Sequence, residues 1–166
     1  MSDRREYGPA PQERSACSCT TLRKASRRIS QLYDAALAPS GLKTTQRAIL
    51  SELRRSEPAT VGELASALVM DAGALAHTLK PLERDGFLAV GIDRADRRVR
   101  LISLTPAGRA KLAETDRLWA PAQRCFDSVF GSADSEALRD ALAILVSGEF
   151  VTAFEGRLSP SAAPHT

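Results

Sequence analysis

The stretch "GIDRADRRVRLISLTPAG", residues 91–108, decides the fold. Phe87, Ala89 and Gly91 alternate with Leu88, Val90 and Ile92 on the way into a charged turn. Val99, Leu101 and Ser103 alternate with Arg100, Ile102 and Leu104 on the way out. A period of two is the signature of a strand, because successive side chains leave a pleated backbone on opposite faces. The spacing predicts a hairpin with Arg94, Arg97 and Arg98 at its tip. A helix follows at "TPAG": Thr105 is its cap, and Pro106 takes the first helical position, where a missing N–H forfeits no bond.

Upstream of the hairpin the apolar period is helical. Thr60 and Glu63 form a capping-box pair that predicts a short helix running to about Leu68. Asp71 caps the next helix, whose buried stripe is Leu75, Leu79 and Leu82 and whose exit is Gly86. Pro81 inside it cannot donate to the carbonyl of His77 and predicts a bend. Earlier still, Leu22, Ala25, Ile29, Leu32 and Ala36 make one apolar stripe, and Ile49, Leu50 and Leu53 belong to a helix from about Thr44 to Arg55. Downstream, Leu112, Thr115, Trp119, Ala122, Phe126 and Val129 continue a long helix, with a kink expected near Pro121. Ser132 is expected to cap one last helix bearing Leu138, Leu142, Leu145, Val146 and Phe150.

Short capped helix, turn, second helix and hairpin, in that order, is the plan of a winged helix-turn-helix. The fold expected is mainly α (α+β): a winged helix-turn-helix with long N- and C-terminal dimerisation helices. The chain divides into a disordered segment 1–16, a dimerisation helix 17–42, a DNA-binding region 43–108, dimerisation helices 109–157 and a disordered tail 158–166. The terminal helices carry more apolar surface than one such lobe can bury, which implies a homodimer built from the two chain ends.

A net charge of only +3 says little, but its distribution says more. Residues 91–111 hold six basic against two acidic side chains, and residues 20–34 hold four against one. Such patches suit a polyanion, and double-stranded DNA is the expected partner. Ala72, Gly73, Ala76, His77 and Lys80 are read as the outward face of the helix capped by Asp71, small enough for close approach to base edges. His77 and Lys80 are the candidates for base or phosphate contact, against the plainer reading of an exposed helix histidine. Arg98, at the hairpin tip, suits a narrow minor groove. Residues 1–16 are polar, and no apolar run is long enough to span a bilayer, so a cytoplasmic protein is expected, with no membrane partner. The three cysteines are read as free thiols, and neither a metal site nor a cofactor is expected. No phosphate loop or nucleophile set suggests an enzyme; the competing reading is a winged helix used for protein contact.

The segment "DRADRRVRLISLTPAG" resembles the wing of the MarR family of bacterial transcription regulators, through Asp93, Asp96, Arg97, Arg98, Leu104, Thr105 and Gly108. "MDAGALAHTLKPLERDGF" resembles that family's recognition helix, and the likeness runs over roughly residues 17–155. It implies a regulator, most simply a repressor, on a pseudo-palindromic operator, with Asp71, Asp93 and Asp96 supporting the wing and Asp71 pairing with Arg98. It implies two inputs. One is a phenolic or aromatic acid held between the dimerisation helices and the DNA-binding lobe, where Arg27, Tyr33 and Trp119 are candidates, with core or surface roles as the alternative. The other is oxidation of Cys19, 14 residues before Tyr33, with Cys125 as the resolving thiol of the other subunit. Inert small residues are the alternative for these cysteines. Thr44 stands where the hydroperoxide-sensing branch has a second tyrosine.

Overall fold

The structure is a computed structural model and describes residues 16–158. The segments expected to be disordered fall outside these residues, apart from Ala16 and Leu158. Two compact units divide the chain after Gln123. The first holds α1 (Ser18–Leu37), a single 3-10 turn (Ala38–Ser40), α2 (Thr44–Ser56), α3 (Val61–Ala67), α4 (Ala72–Arg84), β1 (Leu88–Ile92), β2 (Arg100–Leu104) and most of α5 (Pro106–Phe130). The second holds the end of α5, α6 (Ser132–Leu145) and α7 (Gly148–Leu158). No helix among the described residues is long and apolar enough to cross a membrane.

The core of the first unit is built from the helical stripes: Ile49, Leu50 and Leu53 of α2, Leu64 of α3, Leu75, Leu79 and Leu82 of α4, and Leu112 of α5. Burying each such side chain contributes roughly 1.5–3 kcal/mol over leaving it in water. The helix starts are fixed locally. Thr60 Oγ1 accepts from the Glu63 N–H at 3.1 Å, and the Glu63 carboxylate accepts from the Thr60 N–H at 2.7 Å, closing the capping box. Asp71 Oδ1 accepts from the Ala74 N–H at 3.0 Å. Gly86 leaves α4 at φ +77°, a left-handed angle that glycine adopts without a Cβ clash. Helix α2 is held both locally, with Gln46 Oε1 accepting from the Lys43 N–H at 2.9 Å, and from a distance, with the Thr44 N–H donating to Asp34 Oδ1 of α1 at 2.7 Å.

The two strands pair antiparallel with Leu88 opposite Leu104, Val90 opposite Ile102 and Ile92 opposite Arg100. Leu88, Ile102 and Leu104 are buried at the base, whereas Val90 and Ile92 are exposed further out, so the hairpin leaves the core as it lengthens. A one-residue third strand flanks it. Ala59 exchanges two backbone hydrogen bonds with Ile102, at 3.0 and 2.8 Å. Glu57 also closes this edge, accepting from the Leu104 N–H at 2.6 Å and pairing with Arg109. One residue shows no period, so the alternation rule could not reveal it.

Two expectations need correction. The last helix is two: it stops at Leu145 and restarts at Gly148, with Ser147 Oγ accepting from the Phe150 N–H at 3.2 Å as the new cap. Ser132 does not cap α6; Gly131, at φ +94°, holds that place and Ser132 is the first helical residue. Helix α5 is continuous through Pro121 and α4 continues past Pro81 to Arg84, so neither proline ends its helix. In α1, only Tyr33 and Leu37 are buried, and Leu22, Ile29 and Leu32 of the apolar stripe are exposed at 38%, 36% and 57%.

Candidate nucleic-acid interface

The wing tip is ordered by its own carboxylates. The Asp93 N–H donates to the Val99 carbonyl at 3.0 Å and closes the loop. Asp93 Oδ1 accepts from the Ala95 and Asp96 N–H groups at 2.6 and 3.2 Å, and Asp96 Oδ1 accepts from the Arg98 N–H at 2.9 Å. Short aspartate side chains that bind backbone two residues on are standard turn formers. Both acids are thereby occupied, while Arg94, Arg97, Arg98 and Arg100 are exposed and make no ion pair among the described residues. A hydrogen-bonded loop thus presents guanidinium groups that no carboxylate pairs among the described residues.

On α4 the outermost line is Gly73, His77, Lys80 and Arg84, at spacings of four, three and four, opposite the buried Leu75, Leu79 and Leu82. Gly73, His77 and Lys80 are exposed as expected, and so is Ala72; Ala76 is half-buried, at the flank. Arg84 completes the line and was legible in the same spacing. Asp71 sits at the helix start as its cap, its Oδ1 accepting from the Ala74 N–H, and no ion pair joins it to Arg98 among the described residues. A concave surface lies beside this face, lined by Lys43, Thr45 and Gln46 at the start of α2 and by His77, Thr78, Lys80, Pro81 and Arg84 of α4.

Away from this face, Tyr33 and Trp119 pack with ring centroids 4.4 Å apart, and the Tyr33 hydroxyl donates to Gln123 Oε1 at 3.0 Å. The Arg47 guanidinium lies 4.2 Å from the Trp119 ring centre, a cation–π contact. Arg27 is exposed, and it is not among the ring, cation–π or hydrogen-bond partners of Tyr33 and Trp119 given above. Asp116 of α5 receives Arg47 at 2.5 Å and Arg54 at 2.7 Å, tying α2 to the long helix. Partial burial would raise its carboxyl's pKa, but the hydrogen bonds and charges of Arg54 and Arg47 outweigh that and hold it below the usual range. A lowered folded pKa stabilises the fold above the ordinary carboxylate value, and that contribution disappears as pH falls through the folded value. Asp116→Asn is expected to cost about 1–2 kcal/mol near neutrality and to flatten the acid limb of stability against pH, read by urea unfolding between pH 3 and 7. Equal unfolding midpoints at neutral pH would refute it.

All three cysteines are exposed. Cys17 stands at the N-cap of α1 and Cys19 lies in its first turn; hydrogen bonds from the Thr20 side chain and backbone push the Cys17 thiol pKa down. Among the described residues, no cluster of His, Cys, Asp or Glu is placed to hold a metal ion.

A family model described as the MarR family matches residues 42–99. The transcriptional activatory protein BadR of Rhodopseudomonas palustris is 40% identical over 77 residues, which are 45% of this chain and 44% of BadR. The chain spans about half the length of the curated relatives it matches first. Among solved structures, the Mycobacterium tuberculosis regulator MosR in complex with DNA is 35% identical, with a TM-score of 0.71 over 78% of this chain and 93% of MosR. The repressor CouR bound to a 23-mer DNA duplex is 25% identical, with a TM-score of 0.74 over 79% of this chain and 93% of CouR. These relatives are regulators rather than enzymes. The chain belongs to the MarR family of winged helix-turn-helix transcriptional regulators.

Proposed function

We propose that this regulator binds double-stranded DNA as a homodimer, with α4 in the major groove and the wing reaching into the adjacent minor groove, and represses from a pseudo-palindromic operator. The observation that carries this is the wing: its acids are consumed by the turn, while its arginines are exposed and make no ion pair among the described residues. Narrow minor grooves concentrate negative potential and favour arginine there. Two-fold symmetry would set the half-sites about one helical turn apart. The dimer reading is supported by apolar surface that the chain leaves exposed: Leu22, Ile29 and Leu32 on α1, and Leu142, Leu145, Phe150 and Phe154 on α6 and α7. Helical faces of this kind bury themselves against a second subunit.

The input supported best is a small aromatic acid at Tyr33 and Trp119. The Arg47 guanidinium, 4.2 Å from the Trp119 ring centre, would supply positive charge to a carboxylate bound beside these rings. The second input is oxidative, and the exposure of the thiols favours it. A hydroperoxide would convert the Cys19 thiol to a sulfenic acid with release of the alcohol, and Cys125 of the partner subunit would then displace water to form a disulfide.

The test is selection of bound fragments from genomic DNA, followed by sedimentation of the protein alone and on the selected duplex. The expected result is a dimer on an inverted repeat, released by aromatic acids. No enrichment of any fragment would end the DNA reading. Release by cumene hydroperoxide that is equal in wild type and Cys19→Ser would end the oxidative one.

A further inference from the structure

We propose that Asp116 is an internal competitor for the effector: it holds Arg47 in the ligand-free protein, and the carboxylate of a bound aromatic acid takes Arg47 from it and so loosens α2 from α5. The inference rests on the aromatic-acid reading of Tyr33 and Trp119 and adds the regulation of that site. Arg47 of α2 meets two groups of α5, Asp116 and Trp119, that stand at i and i+3 and therefore share a face of that helix. Its guanidinium donates to Asp116 Oδ1 at 2.5 Å and lies 4.2 Å from the Trp119 ring centre. A carboxylate and an aromatic ring are the two halves of an aromatic acid, so α5 itself offers Arg47 what such a ligand would offer. Ligand and aspartate then compete for one cation.

The geometry suits an exchange. The Arg47 side chain is only 13% exposed, whereas Asp116 is 35% exposed and its second oxygen accepts from Arg54 at 2.7 Å. Loss of Arg47 therefore leaves Asp116 hydrated and still paired, but a covered guanidinium left with no carboxylate at all would be an unpaired charge out of water, which is strongly unfavourable. A carboxylate ligand avoids that state, because the guanidinium passes from one anion to another; a neutral ring does not. The effect reaches DNA through α2. Ile49, Leu50 and Leu53, on the helix that carries Arg47, share a core with Leu75, Leu79 and Leu82 of α4. The exchange reduces the tie between α2 and Asp116 from two arginines to one, and the one that remains, Arg54, is the more exposed and so the weaker.

The test uses the full chain, benzoate with its uncharged isostere benzamide, and the duplex found by selection. Trp119 is the only tryptophan of the chain, so its fluorescence reports binding at the site directly. Wild type should bind benzoate and not benzamide, and Arg47→Gln should bind neither. Asp116→Asn should bind benzoate about 10-fold more tightly and, without ligand, the duplex about 10-fold more weakly, a factor usual for coupling between two sites. Arg54→Gln is the control: it also removes one tie between α2 and α5 but leaves Arg47 on Asp116, so its benzoate affinity should not rise. Asp116→Glu keeps the competing charge and should bind benzoate no more tightly than wild type. In wild type carrying isotope-labelled arginine, benzoate should move the side-chain resonances of both Arg47 and Arg54, a readout that needs no variant to fold. Benzoate affinity in Asp116→Asn at or below that of wild type would overturn the competition while leaving the aromatic-acid reading intact, and so would equal tightening in Arg54→Gln or an unmoved Arg54 resonance. A wild type that binds the duplex but neither benzoate nor any of a panel of substituted benzoates would overturn the aromatic-acid reading, and this inference with it.

Discussion

Gly108→Ala lowers the melting temperature by about 6–12 °C, the equivalent of about 3 kcal/mol in a chain of this size. A Cβ built on Gly108 would lie 2.0 Å from the Phe87 carbonyl oxygen, 3.0 Å from the Phe87 carbonyl carbon and 3.3 Å from Leu104 Cδ2. The oxygen cannot yield, because it accepts from the Thr105 N–H at 3.1 Å. Thr105 holds the same joint twice more: its hydroxyl donates to the Gly86 carbonyl at 2.6 Å and accepts from the Gly108 N–H at 3.0 Å. The first turn of α5 is thus bolted to the exit of α4, and the hairpin springs from that point. A methyl group here forces the long helix off the core that Leu112 anchors. Gly62→Ala is the control, since its Cβ would meet only Thr60 Oγ1 at 3.9 Å, an ordinary contact, and alanine favours helix. Differential scanning calorimetry of both variants decides: equal melting temperatures would mean that the α4–α5 joint has slack.

That joint marks the boundary of what could be read in advance. Local chemistry was legible: the Thr60–Glu63 box, the Asp71 cap, the Gly86 exit and the hairpin each depend on residues a few positions apart. Gly108 was recognised as part of a motif, yet its reason, a carbonyl 21 residues earlier in the chain, belongs to the packed structure. The same holds for Asp34 capping α2, Glu57 closing the β2 edge and Asp116 gathering two arginines from α2. Each is a polar residue whose partner lies 10 to 69 positions away, and no periodicity encodes such a pair. The break between α6 and α7 was hidden for a different reason. Leu142, Leu145, Val146 and Phe150 keep a helical apolar rhythm across it, and only Ser147 and Gly148 mark the new start. In the candidate interface the wing and most of the α4 line were readable from spacing, whereas Lys43, Thr45 and Gln46 join them only through the approach of α2.

Arg98→Ala is expected to weaken duplex binding by about 1–3 kcal/mol and to reduce the salt slope by about one per half-site, with no change in melting temperature. The side chain is exposed and makes no ion pair among the described residues, so folding loses nothing. The loop also survives, because its geometry depends on the Arg98 backbone N–H bound to Asp96 and on the two bonds received by Asp93. Removal of Asp93 should act in the opposite way, leaving every arginine present while releasing the turn that aims them. Arg98→Lys separates charge from shape: a retained salt slope with an affinity between those of wild type and alanine would show that the planar guanidinium fits the groove as more than a point charge. An anisotropy titration of Arg98→Ala that overlays wild type at every salt concentration would remove the wing from the interface and leave α4, with its flank, as the whole of it.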